Sequence, residues 1–116
     1  MKEVDKFLRI IEKLEYHQRL ILQMLPANAN SFNRFILEND LTENEVKQLK
    51  EMCEEMNMKM EEEKADHFVF FSPLYYDFQH KLHTIKPSLK VEEVIQACLN
   101  QGLYMNLMSV LKRNLD

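Results

Sequence analysis

"VEEVIQACLNQGLYMNLMSVLKR", residues 91–113, decides the fold. Val91, Val94, Ile95 and Cys98 are spaced as one face of a helix, and Tyr104, Leu107, Met108 and Leu111 repeat that spacing after Gly102. Gly102 is the single glycine of the chain. Inside one continuous helix it would cost about 1 kcal/mol against alanine. At a corner it supplies the left-handed conformation that closes a helix. The stretch therefore predicts two helices meeting in an αα-hairpin at Gly102, with Leu103 at the hydrophobic position that follows such a cap. The other corners are expected to use Pro, Asn and Ser.

Outward from this hairpin, helical periodicity continues toward the N-terminus. "LTENEV", residues 41–46, matches a capping box. Thr42 and Glu45 are placed to satisfy each other's backbone amides, with Leu41 and Val46 at the staple positions. The helix that it opens carries Val46, Leu49, Cys53, Met56 and Met60 on one face and Met52 beside them, and is expected to run to about residue 65. Glu61–Glu63 fall in its last turns, where the helix dipole prefers cations, so that end is expected to fray. Ser72 and Pro73 predict a restart, with Leu74, Phe78 and Leu82 inward and a stop before Pro87. Ser31 is placed to cap a short helix carrying Phe32, Phe35 and Ile36, which Asn39 and Asp40 end. "HFVFF", residues 67–71, has strand length but no partner strand, and reads as a buried connector.

Residues 3–25 form the clearest amphipathic segment. Val4, Phe7, Ile11, Leu14, Gln18, Ile21 and Leu25 alternate three-four spacing, with Gln18 the polar break, and Leu8, Leu22, Ile10 and Met24 widen the stripe. Such a width suits contact with the chain's own core and with another chain together. Val4, Phe7, Ile11, Leu14, Gln18 and Ile21 are therefore the candidate interface residues, with Gln18 placed to fix register. The expected fold is all-α, a bundle of about six helices over residues 1–116 as one domain, ending in the αα-hairpin. Its long N-terminal helix carries an oligomerisation-type seam.

Composition narrows the function classes. One glycine and three prolines leave little material for β-hairpins. Net charge is −4, and residues 42–66 alone hold nine acids against four lysines, so no face collects the cations that phosphate binding needs. Nor does "LTENEVKQLKEMCEE", residues 41–55, continue as a helix-turn-helix, because it grows more acidic where a recognition helix should be basic. The N-terminal segment interleaves charges with apolar residues, unlike a signal peptide, and no apolar run reaches membrane-spanning length. Its polar face mixes both signs of charge, unlike a helix lying on an anionic membrane. Cys53 and Cys98 lack CxxC spacing and lie on apolar faces, as buried reduced thiols do. The expectation is a cytoplasmic protein without nucleic-acid or membrane partners.

Three further groups are candidate sites. Asp77, His80 and His83 offer metal-ligating side chains at i, i+3 and i+6. Asp77 and His83 are turned about 120° apart on a helix, so a site would need ligands from elsewhere, such as His67 or Glu63. Phe68, Phe70, Phe71, Tyr75, Tyr76 and Phe78 concentrate six of the eleven aromatics, fitting a ligand pocket or, more simply, core and subunit interface. Met52, Met56, Met58 and Met60 could form an adaptable binding surface, although three of them fit the core stripe. No catalytic signature is present, so no enzyme activity and no cofactor are expected.

"IEKLEYHQRLI" (residues 11–21), "HFVFFSPL" (67–74) and "VIQACLNQGLYMNLMSVL" (94–111) occur in an order that resembles the YhaI-like family of small, functionally uncharacterised proteins from Bacillus-type bacteria. The resemblance implies a multihelical all-α fold and an oligomer. It implies no activity and transfers no site residue. The expectation is a homo-oligomeric structural or interaction module, which could also bind an unidentified protein partner. The alternative is a small metal- or ligand-binding protein that uses the His80/His83 region and the aromatic cluster.

Overall fold

A computed structural model describes residues 2–26, 31–65 and 71–113. Six α-helices follow one another: α1 (Lys2–Met24), α2 (Ser31–Glu38), α3 (Glu43–Ala65), α4 (Phe71–Ile85), α5 (Val91–Gln101) and α6 (Met105–Arg113). No strand occurs among the described residues, and the all-α multihelical expectation holds. The connector at residues 67–70 and the loop at 27–30 lie outside the described residues.

The hairpin corner is as the glycine demands. Gly102 sits at φ 70° and ψ 29°, in the left-handed region. The Leu103 amide donates to the Cys98 carbonyl at 2.8 Å and the Gly102 amide to the Leu99 carbonyl at 3.1 Å, the paired bonds of a Schellman cap. The same motif ends α2 without a glycine. Leu41 donates to Ile36 at 3.1 Å and Asp40 to Leu37 at 3.4 Å, with Asp40 at φ 52°. Asp tolerates this conformation better than most residues. Tyr104, at φ 49°, takes it where α6 begins. The economy of glycine thus rests on Asp40 and Tyr104, beyond the Pro, Asn and Ser expected.

The capping box of α3 forms in full. The Thr42 amide donates to Glu45 Oε1 at 2.8 Å, and the Glu45 amide donates to Thr42 Oγ1 at 3.1 Å. The Thr42 amide holds the Glu45 carboxyl below its ordinary pKa. Helix α3 reaches Ala65, and Glu61 accepts a hydrogen bond from Asn106 Nδ2 at 3.1 Å, tying the acidic end to α6. Helix α4 begins at Phe71, which places Ser72 inside the first turn rather than before it. Pro73 still falls where a helix needs no amide donor.

Helices α2 to α6 enclose one core. It gathers Phe32 and Phe35 from α2, the Leu49–Met52–Cys53–Met56–Met60 face of α3, and Phe78 and Leu82 from α4. Leu89 and the inward faces of α5 and α6 complete it. Helix α2 lies on α5, α5 on α6, and α3 against α4 and α6. All its described buried residues are hydrophobic, so polar groups act at its rim.

Helix α1 stands apart. It contains no buried residue, although its stripe is as apolar as the sequence promised. The molecule measures 64 × 31 × 22 Å with a radius of gyration of 17.6 Å. A compact chain of this length has a radius near 13 Å. At 1.5 Å per residue α1 is about 35 Å long, which accounts for the excess.

Candidate functional site

Three long-range polar contacts fix the helix ends around the core. Gln101 Oε1 accepts from the Phe32 amide at 3.3 Å, so α5 caps the start of α2, whose first residue is Ser31 itself. Lys86 Nζ donates to the Asn39 and Asp40 carbonyls at 2.6 and 3.2 Å, bringing a cation to the end of α2. Asn57 Oδ1 accepts from the Leu107 amide at 3.2 Å and holds the start of α6.

The exit of α1 is held by Arg34. Helix α1 has no basic residue in its last turn. Arg34 of α2 supplies one: its Nη2 donates to the carbonyls of Leu22 at 3.1 Å, Leu25 at 3.0 Å and Pro26 at 3.4 Å. Its Nη1 lies 3.7 Å from Glu38 Oε1. One guanidinium therefore neutralises the negative end of α1 and anchors it to α2.

Beyond this anchor the apolar stripe of α1 divides into two edges. Gln18, Leu22 and Leu25 are half-buried, and Gln18 and Leu22 line a cleft of about 310 Å³ with Leu37 and Asp40. Val4, Phe7, Leu8, Ile10, Ile11, Leu14, Ile21 and Met24 are exposed, Phe7 at 64% and Met24 at 80%. Of the six candidate interface residues, Gln18 alone leans on the body. Val4, Phe7, Ile11, Leu14 and Ile21 are open along the projecting helix.

Asp77, His80 and His83 lie along α4, and the structure gives each a different setting. Asp77 is paired with Lys81 at 3.3 Å, and His80 is exposed. His83 Nε2 lies 2.9 Å from the Leu89 carbonyl oxygen, so this nitrogen carries the proton and ties α4 to the turn leading into α5. Among the described residues no three His, Cys, Asp or Glu side chains come together to hold a metal. His67 lies outside them. A cleft of about 370 Å³ between α3 and α4 is lined by Met56, Lys59, Met60, Glu63, Leu74 and Asp77, among others.

The aromatic cluster divides as well. Phe78 is in the core, Tyr75 is half-buried and Tyr76 is 67% exposed, the two tyrosine rings meeting edge-on at 5.9 Å. Phe68 and Phe70 lie outside the described residues, as does the side chain of Phe71. Met52, Met56 and Met60 are buried, and Met58 points outward.

Cys53 and Cys98 are buried in the core. Burial raises the Cys98 thiol to about 12 and, with the neighbouring Cys98, drives Cys53 further up. Neither has the electropositive, open setting of a reactive thiolate. No helix among the described residues is long and apolar enough to cross a membrane.

The sequence missed Arg34, Lys86, Gln101 and Asn57, since each cap is supplied by a separate element. The uncovered stripe of α1 is the feature that the rest of the structure leaves unexplained. Residues 4–116 match the profile of a family described as "Protein of unknown function (DUF1878)", so nearly the whole chain, with the projecting α1 and the hairpin at Gly102, belongs to that family.

Proposed function

We propose that this protein is a non-catalytic, self-associating interaction module in which α1 is the assembly element and a second copy of the chain is its first partner. The observation that carries this reading is the exposed stripe of α1. Eight large hydrophobic residues of that stripe, from Val4 to Met24, are open to solvent on a helix with no buried residue. A monomer rarely exposes a contiguous apolar patch above about 300–600 Å², and larger patches mark interaction sites. The finer resemblance to the YhaI-like proteins of Bacillus-type bacteria, and a cytoplasmic setting, belong to the same reading. The mixed charges of α1 favour protein over nucleic acid or anionic membrane.

Native mass spectrometry of the untagged chain, with sedimentation velocity across the micromolar range, tests it. An integer multiple of the 14.0 kDa chain with no added mass is expected. A monomer at every concentration overturns the reading. Added mass per subunit would support the metal- or ligand-binding alternative through the His80/His83 region and the aromatic cluster. The cleft beside Asp77 would be the first place to look.

A further inference from the structure

We infer that the seam joining two copies is the row Phe7, Ile10, Leu14, His17, Ile21 and Met24, one edge of the α1 stripe, rather than the row that continues through Gln18 and Leu25. This rests on the self-association reading and specifies its surface. Successive members of the row are three or four residues apart, so they stay on one side of the helix along its length. Every member is exposed, from Phe7 at the outer end to Met24 beside the body. On the other edge, Gln18, Leu22 and Leu25 are half-buried. Arg34 holds the carbonyls of Leu22 and Leu25, fixing that edge toward α2. A partner helix laid along Val4, Ile11, Gln18 and Leu25 would meet the body of its own neighbour, whereas one laid along the Phe7–Met24 row runs clear.

Size and spacing point to a second copy as the occupant. With about 200 Å² on a fully exposed residue of this size, the five apolar members of the row present on the order of 600 Å². Each partner in a stable interface contributes about 800 Å². The spacing, three-four-three-four-three, reads the same from either end, so a copy can match it rung for rung. His17 is the one polar rung, and its ring lies 6.1 Å from that of Tyr16 on the same helix.

Leu8 and Ile10 provide the test. They lie on opposite edges of the stripe, at 50% and 53% exposure, and neither supports the core. Full-length Ile10→Glu and Leu8→Glu are compared with the native chain by sedimentation velocity, with circular dichroism at one concentration to monitor the fold. Ile10→Glu is expected to give monomer while Leu8→Glu keeps the assembly. His17→Leu, which makes the row wholly apolar, should tighten association by about tenfold. Gln18→Leu should leave the assembly state unchanged. Loss of assembly in Leu8→Glu, or its retention in Ile10→Glu, overturns the choice of row and leaves self-association standing. A native chain that is monomeric throughout overturns self-association itself.

Discussion

Replacing Gly102 separates two reasons why a helix corner can require glycine. A Cβ built at Gly102 meets nothing within 4 Å, so the corner has room for a side chain. The demand is conformational: φ of 70° costs an ordinary L-residue about 1–2 kcal/mol. Alanine recovers about 0.4–1 kcal/mol through its stiffer unfolded chain, leaving a net loss of about 1 kcal/mol for Gly102→Ala. In a chain of this length that corresponds to about 4 °C in Tm. Asparagine is larger than alanine but visits the left-handed region more readily, so Gly102→Asn should lose less. Urea unfolding at one protein concentration reads both variants, with the midpoint moving and the slope unchanged. The order of the two variants decides the matter. If asparagine is worse than alanine, crowding rather than conformation governs the corner. If alanine equals glycine, the Schellman cap between α5 and α6 does not hold the hairpin.

Further expectations follow from the capping box and the buried thiols. Thr42→Ala removes the acceptor for the Glu45 amide and should cost about 1 kcal/mol in the same urea assay. The stability that the depressed Glu45 pKa represents is present above the ordinary carboxylate pKa and disappears as pH falls through the folded value, so acid should narrow the gap between Glu45→Gln and the native chain. Cys53 and Cys98 should resist a thiol reagent in the folded protein and react once urea unfolds it. Their raised pKa values leave stability intact below the ordinary thiol pKa. Above it, the unfolded state alone loses its protons, and stability falls by about 1.4 kcal/mol per pH unit for each thiol until the folded pKa is reached. A Cys53→Ala/Cys98→Ala variant should show a flatter alkaline limb; an unchanged limb would place the pH response elsewhere.

How much of this was legible in the sequence depends on the range of each cause. The Gly102 corner, the Thr42–Glu45 box and the Leu49–Met60 face are set within a few residues, and all appear where the spacing put them. Asp40 was read as a breaker, but its left-handed cap needed the carbonyl geometry of α2 to be seen. Lys86 on α2 and Gln101 on the Phe32 amide act across 47 and 69 positions, and no local pattern announces them. The α1 stripe shows the deeper limit. Periodicity says that a face is apolar without saying what covers it. Gln18 looked like one rung of a single seam, and the structure turns it toward Leu37 and Asp40 while its neighbour His17 faces outward. At the candidate metal site, spacing supplied the ligand types but not their settings: Asp77 beside Lys81 and His83 on the Leu89 carbonyl.

A helix without tertiary packing has little to hold it. Most helical stability in proteins comes from burying an amphipathic face, and isolated helices are marginal in water. Helix α1 has Glu3 and Asp5 in its first turn and Arg34 at its end, but none of its 23 residues is buried. The spacings Asp5 to Arg9 and Glu15 to Arg19 add at most about 0.5 kcal/mol each. Association should therefore carry much of the helicity of α1. Its 23 residues are about a quarter of the helical residues among those described. On dilution through dissociation, far-UV ellipticity should fall by up to that fraction, in step with the loss of assembly seen by sedimentation. Ile10→Glu should show the lower value at every concentration, with the core transition unchanged in urea. Ellipticity that stays constant while the assembly separates would show that α1 is helical on its own terms, and that a second copy covers its stripe without being needed to form it.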